Sequence, residues 1–211
     1  MATPQLGRNV GAALTRLALG LLWLVGRLPW SWQRRLADGF GAFVFHCVPI
    51  RRQVTLVNLR RCFPELSAGA CRRLARRHYQ SLALGLFEVG RCWWRPAGDL
   101  PACRLEGLAG LERARAAGRG VLLVSGHFTT LEIAGRMLAL RTPICCLYRD
   151  PNNPVLADLL RKHRTAWANR AIEMRDMSGL MRALRDGEAV WYAPDQGKWT
   201  PQSAVLPFFG R

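Results

Sequence analysis

A histidine and a glutamate five positions apart are the strongest candidates for chemistry in this chain. His127 and Glu132 lie in the run GHFTTLE, which begins at residue 126. On one continuous helix their side chains would point about 140° apart, so we expect His127 to precede a helix and Glu132 to lie in its first turn. The glutamate could then fold back to one imidazole nitrogen while the other nitrogen takes a proton from a hydroxyl. The spacing predicts a general base with its orienting acid, which suits direct acyl transfer to an alcohol.

The same spacing has a plainer structural interpretation. A loop histidine with its hydrogen bonds satisfied, followed by a glutamate that the helix dipole favours in the first turn, gives the same pattern. A histidine and an acid recur at any spacing by chance, so the pair needs support from the rest of the chain.

Polar clusters at the ends of predicted strands supply that support. Short apolar runs at 121–125, 144–148, 171–174 and 189–193 predict strands, and 130–140, 155–168 and 178–185 predict the intervening helices. The runs are apolar on both faces, as in a covered and largely parallel sheet. His127 follows the first strand, Arg149 and Asp150 follow the second, and Asp195 follows the fourth. Carboxyl ends of parallel strands share one edge, so we expect these clusters to converge there.

The N-terminal segment is the most apolar part of the chain. Residues 10–32 carry Arg16 and Arg27 as their only charges, with three tryptophans at 23, 30 and 32. This pattern predicts a membrane anchor, either a short tilted span or a helix lying in the interface, and a buried core helix is the alternative. A cleaved signal peptide is not expected, because no small-x-small site follows the apolar stretch.

The charge balance indicates anionic partners. The chain has 31 lysine and arginine residues against 14 acidic ones, a formal charge of +17. Nucleic acid, anionic lipid and an acidic protein all satisfy this balance. Four arginines at 72, 73, 76 and 77 would gather on one arc of a helix that begins after Ser67, where they could hold a phosphorylated lipid or an acidic protein, or form a solvated basic face. Seven cysteines without zinc-ligand spacing predict reduced, mostly buried thiols and no metal site.

Four sequence blocks in order resemble the late acyltransferases of bacterial lipid A biosynthesis. They are NLRRCFPE from residue 58, GHFTTLE from 126, YRDPNNP from 148, and PDQ from 194 followed by LPFFG from 206. The resemblance implies a glycerolipid-acyltransferase-like α/β fold with a mixed, largely parallel sheet flanked by helices, behind an N-terminal membrane helix. We therefore expect an anchor at 1–32, a helical basic region at 33–100 and an acyltransferase core at 101–211 that is truncated at its C-terminal end.

The resemblance also implies the reaction and its participants. The donor would be the phosphopantetheine thioester of acyl carrier protein, the acceptor a hydroxyl of a lipid A precursor, and no further cofactor would be needed. His127 would be the general base and Glu132 its orienting acid, at the cytoplasmic face of the bacterial inner membrane among membrane lipids.

Three further residues are predicted to bind substrate. Arg149 would contact a substrate phosphate or the developing oxyanion, and Asp195 and Asn152 would contribute hydrogen bonds. Each also has a structural alternative: an ion pair or a helix cap for Arg149, and a turn for the other two.

Two other functions remain open from the sequence. The acceptor could be another lipid, such as glycerol phosphate or a mannosylated inositol lipid. Alternatively, the chain could be a non-catalytic basic protein that binds anionic membranes. Nucleic acid is not an expected partner, because zinc-finger spacing, an RNP-like aromatic block and a helix-turn-helix pattern are all missing from the sequence.

Overall fold

Four helices precede a small α/β unit in this chain. The structure, a computed structural model, describes residues 3–196, 204 and 206–210. The N-terminal helices are α1 (Thr3–Arg27), α2 (Trp30–Cys47), α3 (Pro49–Cys62) and α4 (Ala68–Trp94). The α/β unit contains α5 (Leu108–Ala116), β1 (Val121–Val124), α6 (Leu131–Ala139), β2 (Cys145–Tyr148), α7 (Pro154–Trp167), β3 (Arg170–Glu173), α8 (Met177–Arg185) and β4 (Ala189–Tyr192).

Helix α4 is the scaffold on which the other N-terminal helices pack. Its predicted N-cap is confirmed, since the Ser67 hydroxyl accepts a hydrogen bond from the Ala70 N–H at 3.2 Å. Gly41 of α2 lies so close to the backbone of Gln80 that a Cβ there would overlap it. This absence of a side chain brings α2 and α4 into near backbone contact. One apolar core between α2, α3 and α4 contains Phe45, Leu56, Cys71, Ala75 and Tyr79.

Helix α1 packs one face on α4 and turns the other outward. Leu22 is buried against Ala83 and Phe87 of α4, whereas Leu17 and Leu21 are more than half exposed. Over the described residues, none of the helices combines the length and the apolarity that crossing a bilayer requires. The transmembrane form of the predicted N-terminal anchor is therefore not supported.

The α/β unit follows the sequence prediction closely. Every predicted strand and helix of this half agrees with the structure to within one residue at each end. The four strands form one sheet in the order β1-β4-β2-β3, with all three pairings parallel. The α/β class and the parallel sheet are thus confirmed. The domain boundaries stay predictions, and α2 runs across the one placed at residue 32.

The sheet core lies around its two central strands. Cys145, Ile172 and Val190 are buried together with Leu180 and Ala183 of α8. Burial raises the pKa of the Cys145 thiol to about 12, so it behaves as a small core residue, as predicted.

Strand β1 differs from the prediction of a sheet covered on both faces. In the described part of the chain it is one of the two edge strands of the sheet.

Along β1 the burial alternates instead of being continuous. The side chains of Leu122 and Val124 are exposed, whereas Val121 and Leu123 pack toward the core. One face of this edge strand is therefore open in the described structure.

Candidate active site

His127 lies in the loop between β1 and α6, directly opposite the end of β4. Its Nδ1 lies 2.7 Å from Oδ1 of Asp195, and its backbone N–H donates to Oδ2 of the same carboxylate at 2.8 Å. The two residues are 68 positions apart in the chain. They meet because β1 and β4 are neighbouring parallel strands whose carboxyl ends share an edge.

This contact sets the chemistry available to the imidazole. With Nδ1–H donating to Asp195, Nε2 is the nitrogen that can accept a proton. The two hydrogen bonds from His127 hold the pKa of the Asp195 carboxyl below its ordinary value, so the carboxylate stays ionised. The histidine side chain is 35% exposed, which leaves room for a substrate hydroxyl to approach. The arrangement is that of a general base oriented by a carboxylate.

The carboxylate that contacts His127 is not the one predicted from the spacing. Glu132 does lie in the first turn of α6, as expected, but its carboxylate contacts residues other than His127. It forms an ion pair with Arg164 of α7, with 2.7 Å between Oε2 and Nη2, and accepts a hydrogen bond from Nε1 of Trp93 at 3.2 Å. The pairing of β1 with β4 places Asp195 beside the imidazole, and α7 places Arg164 beside Glu132.

The Glu132 pair ties together three helices beneath the histidine loop. The side chains of Glu132 and Arg164 are only 11% and 17% exposed. Burial lowers the pKa of Arg164, but the adjacent negative charge and hydrogen bond outweigh burial and raise it, so the guanidinium stays charged. The Cys92 thiol of α4 donates to the backbone carbonyl of Glu132 at 3.5 Å. Glu132 therefore joins α6 to α4 and α7 and fixes the base of the loop that carries His127.

The end of β2 lies on the same edge of the sheet but does not contact His127. Arg149 is exposed, whereas Asp150 forms an ion pair with Arg161 of α7 at 2.9 Å. Asn152 is exposed in the turn before α7. Its neighbour Asn153 is the N-cap of that helix and accepts from two of its first backbone N–H groups. Because β4 lies between β1 and β2, Arg149 and Asn152 are placed two strands from the base.

A cavity beside the buried ion pair is too small to hold substrate. It measures about 40 Å³ and is lined by Glu132, Arg164, Trp167 and Trp191 among others. This volume accommodates a few water molecules and not an acyl chain. Among the described residues, no three histidine, cysteine or acidic side chains are grouped closely enough to hold a metal ion.

Sequence reasoning missed Arg164 and the partner of His127. Arg164 is 32 positions from Glu132 and lies in a helix with other basic residues, so no local pattern marks it. The last described block meets the first one, since the rings of Phe209 and Phe63 make an edge-to-face contact with centroids 5.0 Å apart. Distant sequence blocks are therefore brought together in two places.

The chain is similar to known bacterial proteins along nearly its whole length. The family model for bacterial lipid A biosynthesis acyltransferase matches residues 7–211. A lipid A biosynthesis lauroyltransferase of Escherichia coli K12 is 35% identical over 199 residues, covering 93% of this chain and 64% of that protein. A lipid A biosynthesis palmitoleoyltransferase of the same organism is 34% identical, with the same coverage of both chains. A lipid A biosynthesis acyltransferase of Haemophilus influenzae is 29% identical over 185 residues, covering 86% of this chain and 59% of that protein.

Proposed function

The chain belongs to the bacterial lipid A biosynthesis acyltransferase family, and from this premise we propose that it transfers a fatty acyl chain from a carrier-protein thioester to a hydroxyl of a lipid A precursor. The observation that carries the proposal is the His127–Asp195 pair at the carboxyl edge of the sheet. The chain spans 64% of the length of its two Escherichia coli relatives, so the activity of the whole protein is part of the proposal.

The reaction requires one base and no nucleophile from the protein. Nε2 of His127 takes the proton of the acceptor hydroxyl while that oxygen attacks the thioester carbonyl. The tetrahedral intermediate then collapses, the carbon–sulfur bond breaks, and the leaving thiolate takes the proton from the imidazolium. Asp195 stabilises that imidazolium and keeps Nδ1 protonated throughout the cycle.

The remaining predicted residues take different parts in this proposal. Glu132 acts as a positioning residue through its buried pair with Arg164, instead of bonding to the base. Arg149 and Asn152, exposed at the end of β2, would bind a charged or polar group of a substrate that extends across β4.

The proposed donor and acceptor are both negatively charged, which is consistent with the positive charge of the chain. A formal charge of +17 attracts an acidic carrier protein as well as a phosphorylated lipid. Association that depends on such attraction weakens as ionic strength rises, because salt screens exposed charges beyond about 8–10 Å. We therefore expect the Michaelis constant for the carrier thioester to rise with salt.

Membrane association is proposed through an interfacial surface. Helix α1 exposes leucines at spacings of three and four residues, which puts them on one face, and α2 adds exposed aromatic rings. The residues are Leu14, Leu17, Leu21, Leu24, Phe40 and Phe43. Arg16 and Arg27 also belong to α1, and long side chains of this kind reach lipid headgroups.

The test is acyl transfer measured by mass spectrometry. The protein in detergent is incubated with an acyl carrier thioester and a tetraacylated lipid A precursor, and a mass gain of one acyl chain is expected. His127→Ala should lower the rate roughly 10²–10⁴-fold, the contribution of a general base. His46→Ala is the matched control, because this histidine lies at the end of α2, outside the site.

Two results would contradict the proposal. A folded wild-type protein that yields no acylated product would argue for a lipid-binding role without catalysis. Equal rates for the wild type and His127→Ala would remove His127 as the base.

A further inference from the structure

A basic groove on α4 lies next to the histidine loop and outside the pair described above. It has a volume of about 400 Å³ and is lined by Arg73, Arg76, Arg77 and Gln80. These four residues fall within an arc of about 100° on the helix, over two turns. Their side chains therefore converge on one space instead of spreading around α4.

The arginines of this groove have no acidic partner in the described part of the chain. The ion pairs seen among the described residues involve other arginines. Glu88 is the one acidic residue in the sequence of α4. Glu88 is buried, whereas Arg73, Arg76 and Arg77 are exposed. Gln80 donates a hydrogen bond to the backbone carbonyl of Asp38 at 3.3 Å. Three guanidinium groups thus share a groove whose lining carries no compensating charge.

The groove is placed within reach of the base. Ser81 follows Gln80 on α4, and its hydroxyl lies 3.0 Å from that of Thr129, two residues after His127. Gly85, one turn further along, is packed so closely on Thr129 that a Cβ would overlap its carbonyl oxygen. Arg77 precedes Ser81 by one turn, about 6 Å along the axis, which puts it on the order of 15–20 Å from His127. A single substrate molecule can bridge such a distance.

We propose that Arg73, Arg76, Arg77 and Gln80 form a binding site for a phosphate monoester. Guanidinium groups bind phosphate oxygens through paired, charge-assisted hydrogen bonds, and the amide of Gln80 adds a neutral donor. The inference rests on the proposed function, and it assigns to this groove the phosphate group of the molecule whose hydroxyl reaches His127. The same chemistry would also accept free phosphate.

Direct binding tests the proposal without relying on turnover. The protein carrying His127→Ala is titrated in neutral detergent with the phosphorylated lipid A precursor and with the same lipid after phosphatase treatment. We expect the phosphorylated form to bind about tenfold more tightly. Arg76→Gln combined with Arg77→Gln should abolish this difference, and lysine at both positions should retain part of it, because the charge remains while the planar fork is lost.

The control removes two charges elsewhere. Arg113→Gln with Arg182→Gln takes the same charge from α5 and α8, where both residues are exposed, and should leave the preference intact. Inorganic phosphate as a competitor distinguishes the two sources of the group. Displacement of the lipid only at far higher concentration assigns the site to lipid-linked phosphate, and binding as tight as that of the lipid assigns it to free phosphate.

Three outcomes separate this inference from others. An unchanged phosphate preference in the Arg76/Arg77 variant would overturn it. If this variant instead changed only the Michaelis constant for the carrier thioester, the inference would also be overturned, and the groove would be assigned to an acidic protein. Phosphate-dependent binding without acyl transfer by the wild type would support the groove and refute the proposed reaction.

Discussion

Two carboxylates near the loop between β1 and α6 hold two different partners. Asp195 engages His127 at the surface, where the two side chains are 45% and 35% exposed. Glu132 engages Arg164 in the interior, at 11% and 17% exposure. An exposed pair adds little to stability but leaves its base open to substrate. A buried pair leaves a costly unpaired charge when one partner is removed. We therefore propose a chemical role for the exposed His127–Asp195 pair and a positioning role for the buried Glu132–Arg164 pair.

The largest expected effect is the loss of stability in Glu132→Gln. The substitution leaves the buried Arg164 charge without compensation, and we expect the free energy of unfolding to fall by about 3–5 kcal/mol. Adding Arg164→Met should recover much of this loss, because the uncompensated charge is then gone. Equilibrium denaturation followed by circular dichroism measures both values. If Glu132→Gln kept wild-type stability but lost catalysis, Glu132 would be the residue with the chemical role, contrary to this comparison.

Asp195→Asn should have the opposite profile. We expect the rate of acyl transfer to fall roughly 100-fold, since the imidazolium loses its anionic partner. The free energy of unfolding should change little, because the site is exposed. Initial rates under saturating donor and acceptor, together with the same denaturation assay, give the comparison. A large loss of stability at unchanged rate would make Asp195 structural.

A third carboxylate sharpens the contrast, because Glu88 is buried without an ion pair in the described structure. The residue is 6% exposed, and one of its carboxylate oxygens has no hydrogen-bond partner among the described residues. Burial raises the pKa of this carboxyl from 4.5 to about 7. Below about pH 4.5 both folded and unfolded chains hold the proton, so the group has no effect on stability. As the pH rises toward 7 the unfolded chain ionises first, and the folded state loses stability.

Glu88→Gln removes this titration. At pH 8 the variant should be more stable than the wild type by on the order of 2–3 kcal/mol, and at pH 4.5 the two should be nearly equal. Chemical denaturation at both pH values provides the measurement. A stability difference that does not depend on pH would mean that Glu88 is ionised in the folded protein or paired with a cation.

The smallest expected effect concerns the turn before α7. Asn153→Ala removes the N-cap of that helix and its 2.8 Å hydrogen bond to Thr15 of α1, and should cost about 1 kcal/mol of stability. Asn152→Ala is the neighbouring control, with little change in stability but a higher Michaelis constant for the acceptor if Asn152 binds substrate. Thermal denaturation and acceptor titration distinguish the two residues. Equal stability losses would indicate that the whole turn, and not the cap, holds α7.

Local patterns in the sequence determined the elements of the α/β half. Apolar runs of four or five residues between amphipathic stretches set the four strands and the helices α6, α7 and α8 to within one residue, whereas α5 was not predicted. The position of Glu132 in the first turn of α6 and the capping role of Ser67 follow from the same short-range rules. These features depend on neighbours in the chain, so one sequence is sufficient to predict them.

The N-terminal helix α1 shows what its apolar sequence pattern does not determine. Its apolar residues predicted a membrane anchor with a spanning helix as one form, but Leu22 packs against Ala83 and Phe87 of α4. Hydrophobicity measures how strongly a side chain avoids water, and it does not say whether protein or lipid will cover it. The position of α4 decided which face of α1 is covered by protein.

The partners of the site residues were decided by tertiary structure alone. The sequence identified His127, Glu132 and Asp195, but the spacing favoured Glu132 as the contact of the histidine, whereas the structure places Asp195 there. The order β1-β4-β2-β3 puts the end of β4 beside that of β1, which delivers Asp195 to His127 across 68 positions. The packing of α7 on α6 delivers Arg164 to Glu132. Hydrogen bonds and ion pairs act over a few ångströms in space, so their partners follow from how strands and helices are arranged and not from distance along the chain.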